Sequence, residues 1–270
     1  MSTDLSGVSG NAPSGNGSIT SAFPPPGMAP QALAMARLCA EAYQTNTVED
    51  KATRAAASVT LIQGPELVQI VAAFKGSSTS QDFIQDAKFD LRMLGYSNAA
   101  HPVRVHAGFL EDISAIDTGV TQQVRGLMDR FPTAKLWITG HSLGGALALL
   151  YAVEAVRLGL PIAWVYTFGQ PRVGDAAWAS MYGGLLGRKT VRVVDENDII
   201  PRTPPWLMGY RHAGNLALIE PWNHLAWNPG LFRKLASDTA GLYEGVMQRQ
   251  DVLIRNHFIE QYIARLRVLN

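Results

Sequence analysis

The stretch Gly140-His141-Ser142-Leu143-Gly144 lies where a run of strand formers, Lys135-Leu136-Trp137-Ile138-Thr139, gives way to a run of helix formers, Gly145-Ala146-Leu147-Ala148-Leu149-Leu150. A G-x-S-x-G on so sharp a strand-to-helix turn lifts the serine hydroxyl above the edge of a sheet. The flanking glycines are needed because a Cβ there would collide with neighbouring backbone. The arrangement is a nucleophile elbow, and it commits the chain to a sheet whose buried strands feed helices.

The rest of the chain fits that frame. Residues 1–29, rich in Ser, Gly, Asn and Pro, carry too few apolar side chains to offset the entropy of ordering them and read as a flexible leader. Gln31 to Tyr43 has the spacing of an amphipathic helix that covers a sheet face. Ala57 to Ile62 and Leu67 to Phe74, separated by Gln63-Gly64-Pro65, have the signature of a hairpin. A long helical pattern runs from Gly108 to about Arg130 and stops before Pro132. Apolar strands are expected at Leu136 to Thr139, Ile162 to Phe168 and Val191 to Val194, with helical segments between them and a helical tail over 231–266. This alternation predicts an α/β fold with a mostly parallel central sheet and right-handed crossovers. No repeat or second core is visible, so residues 30–270 read as a single domain.

Composition narrows the function classes. The 270 residues suffice for one large domain, and 47% hydrophobic against 17% charged residues is globular. The formal net charge is +1 and the 23 Lys and Arg are scattered, so there is no electrostatic footprint for a nucleic-acid partner, and small neutral substrates fit better. Cys39 is the one cysteine, which excludes an intramolecular disulfide and a cysteine-based zinc site and reads as packing. No stretch is long and apolar enough to span a bilayer, and Met1 is followed by polar residues rather than a signal peptide. The expectation is a cytoplasmic protein or one exported by a signal-independent route.

A serine hydroxyl becomes a competent nucleophile when a histidine takes its proton and a carboxylate holds that histidine in the right tautomer. In the order Ser, acid, His typical of sheets with such an elbow, the acids after Ser142 include Asp175, Asp195, Glu196, Asp198 and Asp251. Asp198 is best placed, in the loop beyond the C-terminal end of the strand Val191-Arg192-Val193-Val194, where open α/β sheets carry their sites; Asp195 and Glu196 are its rivals. Of six histidines, His141 lies within the elbow, His101 and His106 precede the serine, and His224 sits in an aromatic loop beside Trp222 and Trp227. His212 and His257 remain as bases, and chain order alone does not separate them.

Several ordered blocks resemble the class 3 lipase family of α/β-hydrolases, which includes fungal triacylglycerol lipases and feruloyl esterases. They are Phe74-Lys75-Gly76-Ser77, Val105-His106-Ala107-Gly108-Phe109, the elbow with Gly145-Ala146-Leu147-Ala148, Tyr166-Thr167-Phe168-Gly169-Gln170-Pro171-Arg172-Val173-Gly174, Asn197-Asp198-Ile199-Ile200-Pro201-Arg202 and Tyr210-Arg211-His212-Ala213-Gly214. The resemblance extends over roughly 31–266. It implies an α/β-hydrolase fold with helices on both faces and a short lid segment. It places the nucleophile on Ser142, the acid on Asp198 and the base on His257, with His212 and His106 structural. It also places the oxyanion hole on Ser77 and on the backbone N–H of Leu143, the residue after the nucleophile. Lys75 stands where the family often has Arg.

Ser80 to Pro102 would be the lid, a helix with Phe83, Ile84, Phe89, Leu91, Met93 and Leu94 on its apolar side and Asp82, Gln85, Asp86, Lys88 and Asp90 on its polar side. Phe83 stands where family lipases often carry Trp. The expected activity is hydrolysis of lipid or other carboxylic esters through an acyl-enzyme, with no cofactor and no metal. Its partners would be a small-molecule or lipid ester and, through the lid, a lipid interface. The alternatives are a feruloyl or general carboxylesterase, a phospholipase A, or a binding module that retains the fold without turnover.

Overall fold

The computed structural model of the protein describes residues 27–64, 68–76, 90–95, 102–220, 224–230 and 256–269. Most of the leader, Ser77, most of the lid segment including Phe83, Ile84 and Phe89, His101, Asp251 and the tail over 231–255 lie outside the described residues.

The framework is an eight-stranded sheet built from β1 (Val48–Glu49), β2 (Ala56–Gln63), β3 (Val68–Phe74), β6 (Lys135–His141), β7 (Ile162–Phe168), β8 (Thr190–Asp195), β9 (Asn215–Glu220) and β10 (His224–Trp227), in that spatial order. From β3 to β9 every neighbour is parallel, and antiparallel pairs at β1–β2, β2–β3 and β9–β10 finish the two edges. A separate ribbon pairs β4 (Leu91–Met93) with β5 (Arg104–His106).

Strand periodicity divides the core into two layers. Ile70, Ala72, Phe74, Leu136, Ile138 and Val165 point to one face, where they meet α2 (Ala107–Arg130), α3 (Leu143–Arg157) and α4 (Ala176–Leu186). Val71, Trp137, Tyr166, Phe168, Val191 and Val193 point to the other, which α1 (Met28–Ala42) and α5 (Ile259–Val268) cover. The helices match their settings. Phe109, Ile113, Ile116, Val120 and Val124 put a single apolar stripe on α2, whereas α3 is buried at every position from Gly144 to Val153 and so occupies the centre of its layer. At about 1.5–3 kcal/mol for each fully buried large aliphatic or aromatic side chain, these two layers are the main source of stability in a chain whose one cysteine is a buried thiol.

Four elements differ from the sequence reading. The first helix begins at Met28, so positions 28 and 29 are helical rather than part of the leader. Leu91–Met93, expected on the apolar side of a lid helix, is a strand with Leu91 opposite His106 and Met93 opposite Arg104, and Leu94 is buried beside it. Pairing satisfies this backbone across the ribbon, which local amphipathicity does not register. Asn215–Glu220 forms a buried strand that was not expected, and His224, placed in a loop, lies on the edge strand β10 opposite Glu220. A four-residue strand at a sheet edge has too short a pattern to stand out from aromatic loop sequence.

Candidate active site

Ser142 sits between the last residue of β6 and the first of α3, with φ 59° and ψ −130°. That backbone is costly for a non-glycine residue, of order 1–3 kcal/mol, and persists because the surroundings hold it. The Ser142 N–H donates to Phe168 O at 2.9 Å on β7, and its carbonyl accepts the Gly145 N–H at 2.9 Å. Gly144 packs so close to β3 that a Cβ would overlap the Phe74 carbonyl, and one on Gly140 would overlap Gly144 itself. The expected collision is therefore with named backbone atoms. Leu143 opens α3, so its N–H has no acceptor within the helix and lies at the positive end of the helix dipole.

Asp198 follows the C-terminal end of β8, two strands along from the elbow, and is 1% exposed. Three donors converge on its carboxylate. The Ile200 N–H donates to Oδ1 at 2.9 Å, while Tyr262 O–H at 2.6 Å and His257 Nδ1–H at 2.8 Å donate to Oδ2. With Nδ1 donating, neutral His257 carries its lone pair on Nε2, the form a general base requires. Nε2 is buried and makes no hydrogen bond to any described residue; such contacts in unliganded sites often close only with substrate in place. Gly169, at φ 57°, brings bare backbone against this pair. A Cβ there would stand 2.7 Å from Asp198 Oδ2 and 2.9 Å from His257 Nδ1.

The rival acids are occupied elsewhere. Asp195 pairs with Arg265 at 2.7 Å and accepts the Asn197 N–H; burial pushes its carboxyl up from the ordinary range while Arg265 pulls the other way. Asp175 caps α4 by accepting the Trp178 N–H. Glu196 lines a cavity of about 150 Å³ together with Arg172, Arg192, Arg202 and Asp198 itself.

The rival histidines have structural partners. His212 Nε2–H donates to Pro201 O, His106 accepts the Phe109 N–H at the start of α2 and stacks on Phe109, and His224 bonds Glu220 at the surface. His141 has its ring centroid 4.7 Å from that of His257. Its Nε2–H donates to the His257 carbonyl at 2.6 Å, and burial first, then His257, hold its pKa well below the ordinary histidine value.

The sequence reading missed Tyr262, Tyr43 and the role of His141. Tyr262 lies on α5 five positions after His257. It accepts the Asp195 N–H at 3.1 Å and passes its own proton toward Asp198. Burial and the neighbouring carboxylates push its phenol far up, so it is a permanent donor. Tyr262→Phe is expected to lower kcat several-fold and stability by about 1 kcal/mol. An unchanged kcat in the folded variant would make Tyr262 a packing residue only.

Among the described residues no cluster of His, Cys, Asp and Glu could hold a metal ion, and no helix is long and apolar enough to cross a membrane. The described residues bring together a buried Asp–His pair and a serine held on a strained turn.

Known proteins similar to this chain include lipases. A lipase from Rhizomucor miehei is 37% identical over 149 residues, covering 54% of this chain and 40% of that protein. A rice protein named phospholipase A1-II 4 is 31% identical over 168 residues, covering 54% of this chain and 42% of its own length. The chain thus spans well under half the length of these relatives. A solved triacylglycerol lipase whose catalytic centre is formed by a serine protease triad superimposes with a TM-score of 0.64 at 26% identity, over 73% of this chain and 82% of the other. This likeness and the sheet order identify the fold as that of the α/β-hydrolases. Residues 71–208, just over half of the 270, match the family described as lipase (class 3), and the elbow and the Asp198 loop fall inside that match: the chain belongs to the class 3 lipase family.

Proposed function

We propose that the protein is a serine carboxylic-ester hydrolase of lipase type, with Ser142 as nucleophile, His257 as general base and Asp198 as the acid that orients it. The carrying observation is the 2.8 Å bond from His257 Nδ1 to a carboxylate that is itself fully buried and triply bonded, beside a serine on a strand-to-helix elbow. In this reading Ser142 Oγ attacks the acyl carbon as His257 Nε2 takes its proton. The tetrahedral oxyanion is met by the Leu143 N–H and by Ser77, and the alcohol leaves with the proton returned by His257. Water then follows the same route to release the acid and free Ser142. Asp198 stays ionised throughout and balances the imidazolium. Lipid esters are the favoured substrates because the similar proteins are named lipases and a phospholipase A1.

The deciding experiment offers purified protein a fluorophosphonate, then tributyrin across its solubility limit and phosphatidylcholine vesicles. The expected result is labelling at Ser142, hydrolysis of monomeric tributyrin, and an abrupt rise in rate as tributyrin passes into emulsion, weakened by Phe83→Asp. A folded protein that resists the label would be a binding module. A smooth saturation curve unaltered by Phe83→Asp would favour a carboxylesterase, and turnover confined to the vesicles a phospholipase A.

A further inference from the structure

His141 has one ring nitrogen on the His257 carbonyl, and a carbonyl can only accept, so the proton of neutral His141 sits on Nε2. Nδ1 therefore presents a lone pair. Its partner, 2.8 Å away, is the hydroxyl of Tyr43, which caps the C-terminus of α1 and must be the donor. The Tyr43 oxygen also lies against Gly76, just past the end of β3, where it fills the space a Cβ would take. Three groups from three parts of the chain thus form one directed series, Tyr43 to His141 and His141 to the carbonyl of His257, with Gly76 packed against its first member. Each donor points the same way, so each bond polarises the next.

The two ends of this series flank the nucleophile. One is the backbone of the residue proposed as base. The other, the Tyr43 hydroxyl, rests on Gly76, so close to the elbow that a Cβ on it would overlap that hydroxyl and lie 2.6 Å from His141 O and 3.0 Å from Ser142 Cβ. The residue after Gly76 is Ser77, which carries the proposed second oxyanion donor. We propose that Tyr43 is a positioning residue: through its hydroxyl it fixes the peptide that leads into the oxyanion hole at a set distance from Ser142 and from the base. The inference rests on the ester-hydrolase reading above and assigns a source to the precision that this chemistry demands. It also explains why a tyrosine from the first helix is brought to the elbow, where a phenylalanine would fill the same space.

The same series keeps the two adjacent histidines distinct. When His257 takes the serine proton, a cation forms beside a ring 4.7 Å away between centroids. His141 stays neutral because its Nδ1 is already occupied by the Tyr43 proton and its surroundings are buried. The positive charge remains on the ring proposed as the base.

The test compares Tyr43→Phe with wild type on a monomeric short-chain ester and on a boronic acid, which mimics the tetrahedral intermediate once it bonds Ser142. Misplacing an oxyanion donor affects the transition state and not ground-state binding. kcat should fall roughly 10- to 100-fold with KM within about two-fold, and boronic-acid affinity should fall by the same factor as kcat/KM. Unchanged kcat and unchanged boronic-acid affinity in an active wild-type background would overturn the proposal. So would a loss confined to KM. If Tyr43→Phe is thermally weakened, the same ratios measured well below its melting temperature decide, because partial unfolding lowers the active fraction and leaves the affinity of the remainder unchanged. His141→Gln, whose amide can accept from Tyr43 and donate to His257 O, should keep more activity than His141→Ala, and equal losses would count against the series. A wild-type protein without esterase activity would instead refute the proposed function.

Discussion

Ser142→Ala is expected to lower kcat on any accepted ester by about 10⁶ while leaving the fold intact. The backbone at this position is strained for serine and alanine alike, and the bonds that hold the turn, to Phe168 O and from the Gly145 N–H, are made by the main chain. Only one oxygen is lost. What survives is catalysis by the oxyanion donors and by substrate binding, some 10³–10⁴ above the reaction in water. The measurement pairs kcat on highly pure protein with its melting temperature, which should stay within a few degrees. Retention of more than a few per cent of activity would displace Ser142 as nucleophile.

The second large effect divides the acids and the histidines. His257→Ala should approach the loss of Ser142→Ala, and the double variant should be little worse than either, because nucleophile and base act as a unit. Asp198→Asn should cost about 10⁴ in kcat. It also meets a geometric conflict. Oδ1 faces the Ile200 N–H and Oδ2 faces Tyr262 O–H and His257 Nδ1–H, so an amide placed either way turns its NH₂ toward a donor. Stability should fall along with turnover. Asp195→Asn breaks the pair with Arg265 and should lower the melting temperature with turnover largely kept. Turnover that collapses in folded Asp195→Asn and survives in Asp198→Asn would move the acid to the neighbouring position.

How far the sequence discloses this architecture depends on the range of the interactions involved. The elbow is legible because its signal is local: the strand β6, two glycines and the helix α3 follow one another over 135–157 and fix one turn. Asp198 is legible because strands buried on both faces, such as β8, have continuous apolar runs and the site of a parallel sheet lies just past their ends. His257 is not separable from His212 by spacing. The structure distinguishes them by partners, Asp198 59 residues away for one and the Pro201 carbonyl 11 residues away for the other. Tyr43 and His141 carry no local signal at all, since the bond between them spans 98 residues and the one from His141 to the His257 carbonyl spans 116. The misread strands fail for the opposite reason. Over Leu91–Met93 the local pattern is amphipathic enough to suggest a helix, and only the partner Arg104–His106 decides otherwise.

The packing of α5 on α1, across the sheet face lined by Tyr166, Phe168 and Val193, has a kinetic consequence. Among the described residues the elbow, Gly76 and Asp198 belong to the block of β3, β6, β7 and β8, and Tyr43 joins them from the end of α1. His257 and Tyr262 arrive only when α5 docks against a helix from the opposite end of the described chain, the contact with the longest loop to close and among the slowest to form. A refolding chain would thus pass through a stage with the sheet complete, the nucleophile held on its turn and no base to activate it. On the proposed function, hydrolytic competence would come with the final step of assembly, and heat or a protease that releases α5 would silence the protein while most of its secondary structure is still standing.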